Sequence, residues 1–254
     1  MKLATEFHGD DGFGDHPDII KMEGYSDCIV KDVHAAQYLV QRSKESNFNI
    51  ICLGPLTNIA LACWLDTKFP TKIDNLYLMG GTIYGKGNQE WNVEYNFYAD
   101  PEAAHKVFKH FKNIHIIPWE ACPEFNAEYK EIKDNNQDQE YASDIPVSLI
   151  TECMKTDNPY RNFIAKAHKT TSTRHYGDIH FCDGLVPLVI IDPTISEQIH
   201  ELEAEVYIHG EAAGQISYAW PQYKNFHDPA KVNSKIYHKF NVQKTIKLFL
   251  NVLK

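Results

Sequence analysis

Apolar positions along this chain fall into short runs that end at glycine or proline, each followed by a longer stretch with a helical period. Asn49–Leu53 (NIICL) runs into Gly54-Pro55, and in the following LTNIALACWL the residues Leu56, Ile59, Ala60, Ala62 and Cys63 recur on one helical period. That pattern predicts strand, tight turn and helix, with Thr57 or Asn58 as the helix cap. NLYLMGG (75–81) reads as a second buried strand closed by glycines, and NIHIIPW (113–119) as a third. Between them, Asp100-Pro101-Glu102 opens ADPEAAHKVFKHF with a capping side chain, a proline at the first helical position and an acid in the first turn.

Further on, 125–145 is polar and weakly patterned, a surface segment or helix, and a helical pattern returns over 147–168. HFCDGLVPLVIIDPTI (180–195) predicts a turn with Asp183 at a helix start, despite Pro187. LEAEVYIHG, GQISYAW and NSKIYHKF alternate as half-buried antiparallel strands do, and NVQKTIKLFLNVLK closes the chain as an amphipathic helix. Strands alternating with helices imply parallel pairing, hence an open α/β sheet, mixed and mostly parallel, flanked by helices. Without an internal repeat or low-complexity linker, residues 1–254 read as a single domain. Ligands of such sheets bind beyond the carboxyl ends of the strands, here near Leu53-Gly54-Pro55, Met79-Gly80-Gly81 and Pro118-Trp119.

Composition narrows the classes. Hydrophobic residues at 43% and charged residues at 23% are ordinary for a folded globular chain. A formal net charge of −9 argues against a nucleic-acid partner, which needs clustered Lys and Arg, and leaves room for a cation or a neutral substrate. The six cysteines are scattered without a CxxC pair, so there is no zinc signature and reduced thiols are expected. No apolar stretch is long enough for a bilayer and MKLATEFHGDD has no signal-peptide core, so the expected compartment is cytoplasmic, without a membrane partner.

Three stretches carry chemistry. In GKGNQEWNVEYN (85–96), Asn88, Glu94 and Asn96 stand between a strand end and a helix start, interleaved with Trp91 and Tyr95. Amides and a carboxylate beside aromatic rings suit the hydroxyls of a sugar; a plain solvated loop has the same composition. HGDDGFGD (8–15) fits neither the EF-hand spacing nor a phosphate cradle, whose ligand its own carboxylates would repel, and also reads as an acidic turn. His180-Phe181-Cys182-Asp183 joins imidazole, thiol and carboxylate at a helix start, where a cysteine nucleophile and a buried structural cysteine are alternatives. His168, Arg174, His175 and Tyr176 are further candidate acids or base-stacking groups.

Taken together, HGDDGFGD, LGPLTNIALA, LYLMGG, GN followed by VEYNFYADPEAAHKVF, and CDGLVPLVIIDP resemble, in order and spacing, the inosine/uridine-preferring nucleoside hydrolases. The resemblance covers residues 8–195. It implies hydrolysis of the N-glycosidic bond of a purine or pyrimidine ribonucleoside to ribose and free base, a calcium ion in the pocket, and a homodimer or homotetramer. By the same resemblance Asn88, Glu94 and Asn96 bind ribose, Met79 packs near it, and His8 lies at the substrate end. Asp183 and the backbone carbonyl of Leu53 would be calcium ligands. Cys182 stands where many members carry a leaving-group histidine, as in a cysteine-containing branch, so the leaving-group acid is undetermined.

Members of that family open with a strand ending in DxDxGxDD, which supplies two calcium ligands and the general base. MKLATEF, upstream of His8, has no such cluster. The expectation is a member shortened at its N-terminus, lacking the first strand and the family's general-base aspartate. If these residues are the whole product, little or no hydrolysis is expected. If they belong to a longer chain, a calcium-dependent hydrolase is expected. Two alternatives stand beside this: a catalytically inactive nucleoside-binding or regulatory partner of an intact paralogue, and a cysteine hydrolase centred on Cys182.

Overall fold

A computed structural model describes residues 9–10, 30–135, 148–175, 181–221 and 228–254, which divide into two compact units. The first comprises 31–123 and 182–240, and holds the whole six-stranded sheet in the order β1-β2-β3-β6-β4-β5. The strands are β1 (Phe48–Cys52), β2 (Ile73–Met79), β3 (Ile114–Ile117), β4 (Ser196–Val206), β5 (Ile216–Ala219) and β6 (Ser234–Phe240). β1, β2, β3 and β6 are parallel neighbours, with Ile50 opposite Leu76, Leu76 opposite Ile114, and Ile116 opposite Ile236. β4 runs antiparallel to both β6 and β5. The sheet is thus mixed and mostly parallel, as the alternation of elements requires.

The hairpin pattern of the last three strands holds for β4 and β5, but β6 inserts between β3 and β4. β4 also begins earlier than LEAEV, at Ser196, because its first residues are polar or solvent-facing and carry no apolar alternation. Among the described residues no strand pairs with the outer edge of β1.

Helices α1 (Ala35–Ser43), α2 (Thr57–Leu65), α3 (Tyr95–Ala99), α4 (Pro101–His110) and α8 (Leu185–Ile191) also belong to this unit. The apolar faces of α1 to α4 close the core with Leu76, Leu78, Ile114, Ile116 and Ile236, and Phe97 meets Phe108 edge to face at 5.6 Å. Asp100 caps α4 as its sequence predicts, accepting from Ala103 N at 3.1 Å. The cap of α2 differs from expectation. Its N-cap is Leu56, without a side-chain bond, and Thr57 instead donates its hydroxyl to Asp100 Oδ2. Thr57 therefore ties α2 to α4 rather than ending its own helix.

The described residues of the second unit are 9–10, 30, 124–135, 148–175, 181 and 241–254. It contains α6 (Leu149–Met154), α7 (Pro159–His175) and α9 (Val242–Val252), together with most of α5 (Ala121–Asn135), which starts in the first unit. Phe181 packs edge to face on Phe125 and Phe249, with centroids 5.2 and 5.1 Å away. Arg161, 6% exposed, donates from Nε to the Leu253 carbonyl at 3.0 Å and from Nη2 to the Leu250 carbonyl at 2.5 Å. A buried cation thus satisfies carbonyls that the end of α9 leaves open. Among the described residues, no helix is long and apolar enough to cross a membrane.

Candidate active site

The carboxyl end of β2 organises the site. Met79 is followed by two glycines, and Gly80 N donates to the Ile117 carbonyl at 3.1 Å. A Cβ on Gly80 would lie 2.9 Å from Phe97 Cε1 and 3.1 Å from Glu94 Oε2, so only glycine lets the strand end approach the head of α3.

Glu94 caps α3 from a site only 2% exposed. Its Oε1 accepts from Asn96 N at 2.8 Å, and its Oε2 accepts from Gly81 N at 2.9 Å and Phe97 N at 3.3 Å. Burial raises its pKa from 4.5 to about 7; the backbone donors oppose that shift and the charge of Asp183 adds to it. Asn96, also buried, donates from Nδ2 to the Met79 carbonyl at 3.1 Å. Asn88 is exposed at the rim, where its Oδ1 accepts from Tyr95 N at 2.8 Å. Each of these side chains is held by a backbone group, Asn88 within its own loop and Glu94 and Asn96 partly by the end of β2, which fixes the rotamer before any ligand arrives. Among the described residues no group bonds Asn88 Nδ2 or Asn96 Oδ1.

Asp183 stands just before α8 (its N-cap is Gly184), and burial raises its pKa from 3.8 to about 6. Among the described residues no donor reaches its carboxylate. Cys182 lies beside the fully buried Cys122, whose thiol is pushed well above its ordinary range by burial, then by Cys182, Asp183 and Glu94. Carboxylates near the Cys122 sulfur add to burial in opposing its thiolate.

The structure therefore brings Met79, Glu94, Asn96, Asp183 and Cys182 together, with Asn88 at the edge. Leu53, one residue past β1, is 46% exposed and its side chain takes no part in the buried floor. His8, Tyr176 and His180 lie outside the described residues, as do the side chains of His168, Arg174 and His175. Of HGDDGFGD, only Gly9 and Asp10 are described.

One carboxylate escaped the sequence reading. Glu120, 3% exposed just past β3, accepts from the backbone N–H groups of Ile83, Tyr84 and Lys86 at 2.9 to 3.1 Å. The available signal was an acid directly after an apolar strand at a ligand-binding edge.

Among the described residues, no group of three or more His, Cys, Asp or Glu is placed to hold a metal ion. Asp183 with a backbone carbonyl falls short of the roughly six to eight oxygens that calcium takes. The described donors do not fit calcium by themselves.

A family model described as inosine-uridine preferring nucleoside hydrolase matches residues 1–247. The chain belongs to that family. A probable uridine nucleosidase 2 of Oryza sativa subsp. japonica is 35% identical over 119 residues, 45% of this chain and 34% of its own length. An inosine-uridine preferring nucleoside hydrolase of Leishmania major is 26% identical over 206 residues, 77% of this chain and 57% of that one. The match thus spans about a third of the plant relative and little more than half of the other. Among solved structures, a plant nucleoside hydrolase superposes with a TM-score of 0.76 at 22% identity, covering 99% of this chain and 75% of its own. A purine-preferring ribonucleoside hydrolase from Gardnerella vaginalis gives 0.72 at 21%, covering 98% and 72%. At these identities the superpositions speak to the fold alone, which is that of the nucleoside hydrolases.

Proposed function

We propose that the site beyond β2 grips the ribose of a ribonucleoside and serves hydrolysis of its N-glycosidic bond. The observation that carries this reading is the locked Glu94-Asn96 turn facing Asp183, in a chain of the nucleoside hydrolase family. Asn88 Nδ2 and Asn96 Oδ1 supply a donor and an acceptor for sugar hydroxyls. Cleavage of this bond builds positive charge on the sugar ring, and a carboxylate fixed nearby stabilises that charge more than it stabilises the neutral substrate. Asp183, with its pKa near 6, is mostly ionised at neutral pH and fills that role. Glu94, near 7, is present in both protonation states and can donate to or accept from a hydroxyl. Cys182, a free cysteine beside the buried Cys122 thiol, is given no chemical role in this reading.

Uridine is the substrate to try first, because the Oryza relative is named a uridine nucleosidase; inosine is the second. The purified chain is incubated with each and released ribose is measured, with added calcium and with chelator. Ribose release that Asn96→Ala and Asp183→Ala each abolish supports the reading, and calcium-stimulated release adds calcium dependence to it. Release that survives both substitutions overturns it.

The alternative is a nucleoside-binding partner without turnover. Saturable uridine binding by calorimetry with no ribose release selects that one.

A further inference from the structure

We propose that Glu120 is a positioning residue for the substrate-gripping loop, acting on nucleoside binding through Asn88; this rests on the ribonucleoside reading above. Its carboxylate is buried at 3% exposure, and among the described residues no cation lies within ion-pair distance. Oε1 accepts from Tyr84 N at 2.9 Å and from Ile83 N and Lys86 N at 3.1 Å, and Oε2 accepts from Ile83 N at 3.0 Å. A buried carboxylate is tolerated only when its charge is met, and here three converging peptide dipoles meet it.

Two further features make this an anchor rather than a local cap. Glu120 precedes α5, yet Ala121 N and Cys122 N donate to the carbonyls of Pro118 and Trp119, so its carboxylate is directed to a loop from another strand. That loop continues directly into Asn88. Gly87 N donates to Asn92 O at 3.1 Å and Gln89 N to Val93 O at 2.9 Å, closing the segment on itself around Asn88. The closure is tight: a Cβ on Gly87 would sit 2.2 Å from the Val93 carbonyl oxygen, and Trp91 and Asn92 take left-handed φ of 57° and 60°. Glu94 receives Gly81 N at one end of the loop while Glu120 receives residues 83, 84 and 86 beside it. Asn88, an exposed side chain, therefore owes its position to a buried acid on the next strand.

The test uses the full chain and compares wild type, Glu120→Gln, Asn88→Ala and the double variant. Two readouts are taken: hydrogen exchange of the Ile83, Tyr84 and Lys86 amides, and uridine affinity, as KM where ribose is released and as a calorimetric Kd where it is not. In Glu120→Gln, exchange of those amides is expected to accelerate by about tenfold or more, reflecting cheaper local opening. KM or Kd is expected to rise by about tenfold with kcat changed by less than about threefold. On the Asn88→Ala background the same substitution is expected to change affinity by less than about twofold, because the effect passes through Asn88. Unchanged exchange overturns the inference whatever the activity. An affinity loss of equal size on both backgrounds also overturns it, since a merely structural role predicts that additivity. Should Glu120→Gln not fold, Glu120→Asp, which keeps the charge and withdraws it by one methylene, carries the same comparison. A wild-type chain that neither binds nor hydrolyses uridine overturns the ribonucleoside reading, and this inference with it; failure of the inference alone shows only in the variants.

Discussion

The carboxylates of Glu94 and Asp183, distant in sequence, lie close enough that the charge of Asp183 helps to keep a proton on Glu94. No salt bridge among the described residues relieves either group. Glu94 is thus buried among backbone donors and Asp183 is buried without one, an arrangement that costs stability and recurs at functional sites.

Asp183→Asn separates those two effects. On the ribonucleoside reading proposed above, ribose release is expected to fall by about a hundredfold when that charge is lost. The melting temperature above pH 7 is expected to hold or rise, because the repulsion on Glu94 is gone. Ribose assays and thermal melts on the same preparation check both, and a parallel fall in the two would show mere unfolding.

The pH profile of stability follows from Glu94. Its folded pKa of about 7 exceeds its ordinary 4.5, so the native state binds more protons than the unfolded chain between those values. Its contribution is complete below about pH 4.5 and declines as pH rises through 7, with a slope approaching ~1.4 kcal/mol per pH unit. Glu94→Gln is expected to flatten that decline in urea melts taken from pH 5 to 8.

His115 acts in the opposite sense. Its Nδ1 lies 3.0 Å from Tyr237 Oη and its Nε2 3.1 Å from Asn75 Oδ1. Burial and Lys235 lower its pKa from 6.5 to about 4, against the smaller effect of Glu201. The unfolded chain therefore binds more protons between pH 6.5 and 4, and stability is lost on acidification through that window. His115→Gln is expected to reduce the loss, read from melts at pH 4.5 and 7.

Arg161→Ala tests the second unit by itself. It leaves the Leu250 and Leu253 carbonyls at the end of α9 without their donor, and is expected to cost about 1–3 kcal/mol in chemical denaturation. Uridine affinity should be unchanged, and a shift in KM would contradict its assignment as a helix-end clamp.

Much of this fold is legible in the chain because the signals are local. NIICLGP, NLYLMGG and NIHIIPW are apolar runs with breakers, and each is a parallel strand, the second and third largely buried and the first buried only at Ile50, with Ile51 exposed. Asp100-Pro101-Glu102 states the start of α4 in three residues. The helix Ala35–Ser43 carries no such sign, since its capping box pairs His34 with Gln37, an unusual acceptor in place of Ser, Thr or Asp. Polar residues lead β4 because that end of the strand is exposed in places, so period alone could not date its start. In the site, Glu94 and Asn96 were legible as residue types, but their anchoring to Gly81 and Met79 depends on pairing between β2 and α3. Glu120 was illegible for the same reason: its partners belong to the loop after a different strand.

Placing Ser234–Phe240 between β3 and β4 has a consequence for how the protein is made. Strands β1 to β3 leave the ribosome with one open parallel edge, and the β4–β5 hairpin follows as a separate piece. Neither can join the other until Ser234–Phe240, which follows both in the chain, supplies the strand that bridges them. Sheet closure therefore waits on long-range pairing, the slow and aggregation-exposed class of folding event. Until Ser234–Phe240 is in place, the β3 edge and the β4–β5 hairpin stay unpaired with each other.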